Sequence, residues 1–208
     1  RVLFRSSNHF NSMRAAVPRY ADTPLIVTMP DPNGDTLPPV SCTPGADFSY
    51  SNHGYGLLGA VMESATGRPI KELLRTELAE PFGMPSMRAM YADRNPVPSY
   101  ERAIPYSSSS ANRTNYRNSS WKVIVGGTEI NAADLARFGW LTVNGQLTSP
   151  QFRDNTLFQS LPNTGYGYGW IMTTDGSGRR IARHNGASTG SRTMLRVWRD
   201  HGLSRSEE

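Results

Sequence analysis

Gly186-Ala187-Ser188-Thr189-Gly190 carries the G-x-S-x-G spacing of a nucleophile elbow. That device needs a strand before the serine and a helix after it, so that the hydroxyl stands exposed on a strained turn. Here the following run, Arg192–Trp198, reads as another strand, so the spacing predicts a glycine-bearing hairpin turn. Tyr50-Ser51-Asn52 places a phenol and a carboxamide two positions apart, where a loop enters an apolar-periodic run. Taken as residues alone it is a helix start, with Ser51 or Asn52 capping the first N–H groups. His184, at the end of a strand-like segment, reads on the same terms as a half-exposed strand residue. His9, His53, His184 and His201 are never paired at helical spacing, and Cys42 is the single cysteine. A thiolate metal site and an internal disulfide are both excluded. Neither lysine follows a glycine, so no phosphate-cradling loop is present. No metal and no cofactor is expected.

The elements that must position these groups change character along the chain. Residues 1–41 hold Pro30, Pro32, Gly34, Pro38 and Pro39 and read as loops, with one short helix near Ser12–Ala16. Tyr55, Leu58, Val61, Met62 and Ala65 recur at spacings of three and four and predict a helix from Asn52 to about Ala65. A second helix is predicted over Pro69–Leu78, with Ile70, Leu73, Leu74 and Leu78 on one face and Pro81 closing it. Tyr91–Trp121 is polar and irregular and reads as a long surface loop. A third helix follows over Ala132–Val143, capped by Asn131, striped by Leu135, Phe138 and Leu141, and ended by Asn144-Gly145. Tyr166–Met172, Arg180–His184 and Arg192–Trp198 then predict three strands of an antiparallel meander. Helices first and strands afterwards give an α+β class. The expected organisation is a loop-rich segment 1–41, a helical subdomain 42–150 and an antiparallel β part 151–208.

Composition narrows the partners. The net charge is +5, but 20 of the 22 basic residues are Arg, scattered singly or in pairs with no block of five. Nucleic acid is therefore not an expected partner. No apolar run approaches the roughly 18 residues of a transmembrane helix, so no membrane-spanning segment is expected. The chain opens on Arg1, and a processed or truncated N-terminus is expected.

Several motifs in order carry a resemblance. Pro44–Asn52 is followed by Tyr55, Leu57-Leu58-Gly59, Glu63, Thr66-Gly67 and Glu80-Pro81-Phe82-Gly83-Met84. Further on come Gly126-Gly127, the Asn131–Trp140 helix, Tyr166-Gly167-Tyr168-Gly169-Trp170 and His184-Asn185-Gly186. Over about residues 42–198 this series resembles the serine β-lactamase-like family. That family joins class C β-lactamases, low-molecular-weight penicillin-binding proteins, and related esterases and D-amino-acid peptidases. The resemblance implies a β-lactamase/transpeptidase-like fold, here incomplete at both ends. It implies acyl transfer or hydrolysis on a small-molecule or peptide-like amide or ester, in the cell envelope, the periplasm or outside the cell. By its motifs Tyr50 would be the tyrosine of the Y-x-N element. A free phenol titrates near pH ~10 and is a poor base at neutral pH. It becomes useful when an ammonium and the nucleophile's hydroxyl crowd its oxygen. Asn52 would bond substrate or the lysine. His184-Asn185-Gly186 would stand for the family's K-T-G in its H-x-G form, with His184 donating to substrate, Asn185 and Gly186 lining it, and the Ala187 N–H as an oxyanion donor.

One element of the pattern does not follow. The family's nucleophile lies in an S-x-x-K pair upstream of Y-x-N, and the two lysines of this chain are Lys71 and Lys122. The one literal match, Ser119-Ser120-Trp121-Lys122, falls between the Y-x-N and H-x-G elements and in polar loop sequence. Ser119 with Lys122 is thus a weak candidate, and the chain is expected to be inactive alone, as a fragment of a longer protein. The alternative is a non-catalytic ligand-binding or interaction module of the same fold. Past Trp198 the chain is polar apart from Leu203, so no further strand is expected.

Overall fold

The structure, a computed structural model, describes residues 48, 50, 52–89, 103, 120–161, 164–188 and 190–207. The segment 1–41 with its short helix, and nearly all of the polar loop from Tyr91, lie outside the described residues. The chain divides into two compact units.

The first unit holds helix α1 (Asn52–Thr66), helix α2 (Ile70–Leu73), strands β1 (Arg88–Ala89) and β2 (Thr128–Glu129), and a 3-10 helix at Ser120–Val125. Helix α1 ends at Gly67, which takes φ 67 and donates its N–H to the Glu63 carbonyl at 2.9 Å. Helix α2 starts behind Pro69, which has no side chain to cap it. The buried Glu63 carboxylate supplies the missing acceptor, taking the Ile70 N–H at 2.7 Å. The predicted second helix is present, but it widens into a π-wound stretch over Leu74–Ala79. The last residues of the expected loop are also more ordered than the sequence suggests, since Ser120–Val125 is helical. Ala60, Ile70, Leu73, Ala89 and Val123 make the core.

The apolar stripe of α1 departs from expectation. Tyr55, Leu58, Val61 and Met62 are exposed, while Ala60 and Glu63 are the residues turned inward. Ile70, Leu73 and Val123 pack on the Ala60 side, and no described residue covers the stripe.

The second unit holds helix α3 (Ala132–Val143), helix α4 (Pro150–Phe152) with a π-wound extension over Arg153–Leu157, and a four-stranded sheet. Helix α3 has the predicted bounds. Asn131 accepts the Asp134 N–H at 2.7 Å, and Asp134 in turn accepts the backbone N–H and hydroxyl of Ser86. The sheet runs β3 (Ile171–Thr174), β4 (Arg180–Ser188), β5 (Ser191–Trp198), β6 (Leu203–Glu207), each antiparallel to the next. Val143, Phe158, Trp170, Ala182, Leu195 and Val197 form its core, with Phe138 stacked on Trp170 at 6.5 Å and Phe158 edge-on to it at 5.8 Å.

Three corrections follow for the strands. The first begins at Ile171, not Tyr166, because Gly165 (φ 64) and Gly169 (φ 81) fold the segment back so that Tyr166 bridges Ile171. The second runs on past His184 to Ser188, since Gly186–Ser188 pair with Ser191–Thr193. The polar tail forms a fourth strand, held by its ladder to β5 from Met194–Glu207 to Trp198–Leu203. Helix α4 was signalled by Ser149-Pro150: the Ser149 hydroxyl accepts the Phe152 N–H at 3.1 Å, with proline in the first turn.

Candidate active site

The phase of the β4–β5 ladder decides which way the site segment points. The Arg199 N–H donates to the Arg180 carbonyl at 3.0 Å, one step before the Ile181–Trp198 pair. Bonded and non-bonded pairs alternate along an antiparallel ladder. Ala182, His184, Gly186 and Ser188 therefore spend their backbone groups on β5. Ile181, Arg183, Asn185 and Ala187 turn theirs the other way. On that side β3 pairs with β4 only through Arg183, whose partner is Ile171. The N–H groups of Asn185 and Ala187 thus lie past the reach of β3, on an edge that an extended ligand could meet.

Gly186 stands between them, opposite Thr193 of β5. A Cβ there would run into the Thr193 hydroxyl oxygen. Asn185 and Ala187 are exposed and His184 is half-buried. Both ring nitrogens of His184 are engaged: Nδ1 lies 2.9 Å from the Asn185 carbonyl, and Nε2 lies 2.5 Å from the Tyr166 hydroxyl. Tyr166 is the residue that sequence reasoning missed. It lay inside a quoted motif, but its partnership spans 18 positions and no local pattern encodes it.

The elbow reading is closed. Gly186, Ala187 and Ser188 are on β4 and a strand follows, with Gly190 at φ 78 in the reversal. In the first unit, Tyr50 is 64% exposed just ahead of α1, and Asn52 opens that helix, also exposed. Ser119 lies outside the described residues, and Lys122 sits on the 3-10 helix. Among the described residues no group of three His, Cys, Asp or Glu could hold a metal ion. No helix among them is long and apolar enough to cross a membrane.

The family model for Beta-lactamase matches residues 9–205. The chain belongs to that family. Penicillin-binding protein 4* of Bacillus subtilis (strain 168) is 25% identical over 177 residues, covering 76% of this chain and 38% of its own length. A D-aminopeptidase of Gluconobacter oxydans (strain 621H) is 29% identical over 174 residues, covering 79% of this chain and 30% of its own. Among solved structures, a D-stereospecific amidohydrolase from Streptomyces sp. superposes with a TM-score of 0.68 at 25% identity. That match covers 97% of this chain and 64% of the amidohydrolase. The chain therefore spans about a third of its curated relatives and under two thirds of that structure. These likenesses agree with the β-lactamase/transpeptidase-like α+β fold that the motifs implied, and with the serine β-lactamase-like family.

Proposed function

We propose that this chain carries the substrate-binding and oxyanion elements of an acyl-transfer site for amides or esters, with D-amino-acid amides the favoured class. The carrying observation is the β4 edge beyond Arg183, where the Ala187 N–H faces away from β5. A developing oxyanion needs such fixed donors, because a preorganised N–H costs no reorganisation when charge appears. Ala187 is the donor, and Gly186, Asn185 and His184 flank the bound substrate. Tyr50 is the base-side phenol and Asn52 the amide that bonds substrate, by their place in the Y-x-N motif. The D-amino-acid preference rests on the names of two relatives, a D-aminopeptidase and a D-stereospecific amidohydrolase.

The nucleophile is not among these elements. Within these 208 residues S-x-x-K occurs only at Ser119–Lys122, so the chain by itself should bind without turning over. The test pairs calorimetric binding of D-phenylalanine amide with intact-mass detection of acylation by a reactive β-lactam and a chromogenic ester. Saturable amide binding is expected, weakened severalfold in His184→Ala, which removes the imidazole that packs beside the bound amide. No covalent adduct is expected. Failure to bind, or binding indifferent to His184→Ala, would overturn the site. A stoichiometric adduct on any serine would overturn the inactivity.

A further inference from the structure

We propose that Tyr166 is the positioning residue for His184, fixing both the orientation of the imidazole and the ring nitrogen that carries its proton. The inference deepens the reading of His184 as a substrate-side group and rests on it for its functional meaning. The geometry is independent of that reading.

The Asn185 carbonyl can only accept a hydrogen bond, so Nδ1, 2.9 Å away, must be the protonated nitrogen. In the neutral ring Nε2 then holds a lone pair, and the Tyr166 hydroxyl 2.5 Å away is its donor. The two rings meet edge to face, with centroids 6.0 Å apart and planes at 90°. Two opposed bonds leave the ring no freedom to flip.

Tyr166 can do this because its own backbone is pinned. Its carbonyl accepts the Leu161 N–H at 2.9 Å, and its N–H donates to the Thr164 hydroxyl at 3.0 Å. Its bridge partner Ile171 is also the partner of Arg183, the residue before His184. The next residue, Gly167, sits where a Cβ would come within 2.7 Å of the Gln159 carbonyl. The glycines of the Tyr166–Trp170 motif thus shape the turn from which Tyr166 reaches His184. A consequence follows for chemistry. With Nδ1 turned to the protein's own carbonyl, His184 offers substrate no free N–H, and what a ligand meets is the O–H···N pair. Pre-set geometry of this kind spares the cost of ordering a side chain on binding.

The test is ring-nitrogen NMR on the whole 208-residue chain with labelled histidine, above pH ~8 where an ordinary imidazole is neutral. His184 is assigned by its disappearance in His184→Gln. The native ring should show one tautomer, proton on Nδ1 and an acceptor shift at Nε2. A ring protonated on Nε2, or averaged between both, would overturn the proposal. Tyr166→Phe, which removes one oxygen, should lose the acceptor shift at Nε2 while its circular dichroism stays native. An unchanged ring spectrum in that variant would also overturn it. Should Tyr166→Phe fail to fold, diethylpyrocarbonate on the native chain decides: His184 should react severalfold slower than exposed His201, and equal rates would refute the pairing. None of these readouts needs turnover. Their failure would sink the pairing alone, whereas a native signature in a protein that never binds amide would sink the site reading alone.

Discussion

Helices α1 and α3 carry comparable apolar stripes, yet only α3 buries the one its spacing predicts. Under α3 lie β5 and β6, and Leu135 and Phe138 pack into the cluster around Trp170 and Leu195. On α1 the stripe of Tyr55, Leu58, Val61 and Met62 is exposed, and the inward residues are Ala60 and a glutamate. Periodicity says which side chains share a face. It does not say what covers that face, because the cover comes from elsewhere in the chain or from outside it.

The sharpest way to break the comparison is to remove the centre of the well-covered region. Trp170→Ala deletes a 6% exposed indole that touches both Phe138 and Phe158. A cost of about 3–5 kcal/mol is expected, enough to abolish a cooperative transition followed by near-ultraviolet circular dichroism. A smaller loss should come from adding bulk. Gly139 brings α3 close to the sheet: a Cβ there would meet Leu195 Cδ1 and Val197 Cγ1, each at 2.9 Å, and the Ser204 hydroxyl. Gly139→Ala should destabilise by about 1–3 kcal/mol in urea unfolding, against the usual gain from replacing a helical glycine. An unchanged midpoint would show that the contact between α3 and the sheet is loose.

The same contrast explains what was legible in the sequence. Helix α3 could be bounded to the residue because cap, stripe and stop are all local: Asn131, Leu135 to Leu141, Asn144-Gly145. Strand β6 was missed because Leu-Ser-Arg-Ser-Glu has one apolar residue, and its order comes from backbone bonds to a partner already in place. The G-x-S-x-G spacing could be dismissed because a strand-like run follows it. His184 could be singled out by its motif. Its tautomer could not, since that depends on a tyrosine brought near by the fold of two glycine-rich turns. Tyr50 and Asn52 were legible as a motif, and their roles remain those of the proposal.

Acid should act on the covered region through Asp175. Burial raises its pKa, but the Arg179 N–H, the Trp198 indole, the Arg179 guanidinium and the Ser177 N–H outweigh that and hold it well below its ordinary 3.8. A carboxylate with a depressed folded-state pKa adds stability that is complete above its unfolded value. That stability is lost as pH falls through the folded one. Below pH ~4 the native chain should therefore lose stability faster than Asp175→Asn, measured as the slope of the urea midpoint against pH. Parallel slopes would remove Asp175 from the account.

The smallest effect is expected on α1, and it tests the other half of the comparison. Because the stripe is exposed, truncating Leu58 or Val61 to Ala removes little buried area and should shift stability by no more than about 0.5 kcal/mol. A covered leucine truncated the same way would cost about 2–5 kcal/mol. The two outcomes differ several-fold and are read in one urea titration of the purified chain. A large loss at Leu58 would mean that the stripe is covered, and the contrast between the two helices would vanish. A negligible loss would leave an apolar helix face, next to the Y-x-N motif, that stability alone gives no reason to keep apolar.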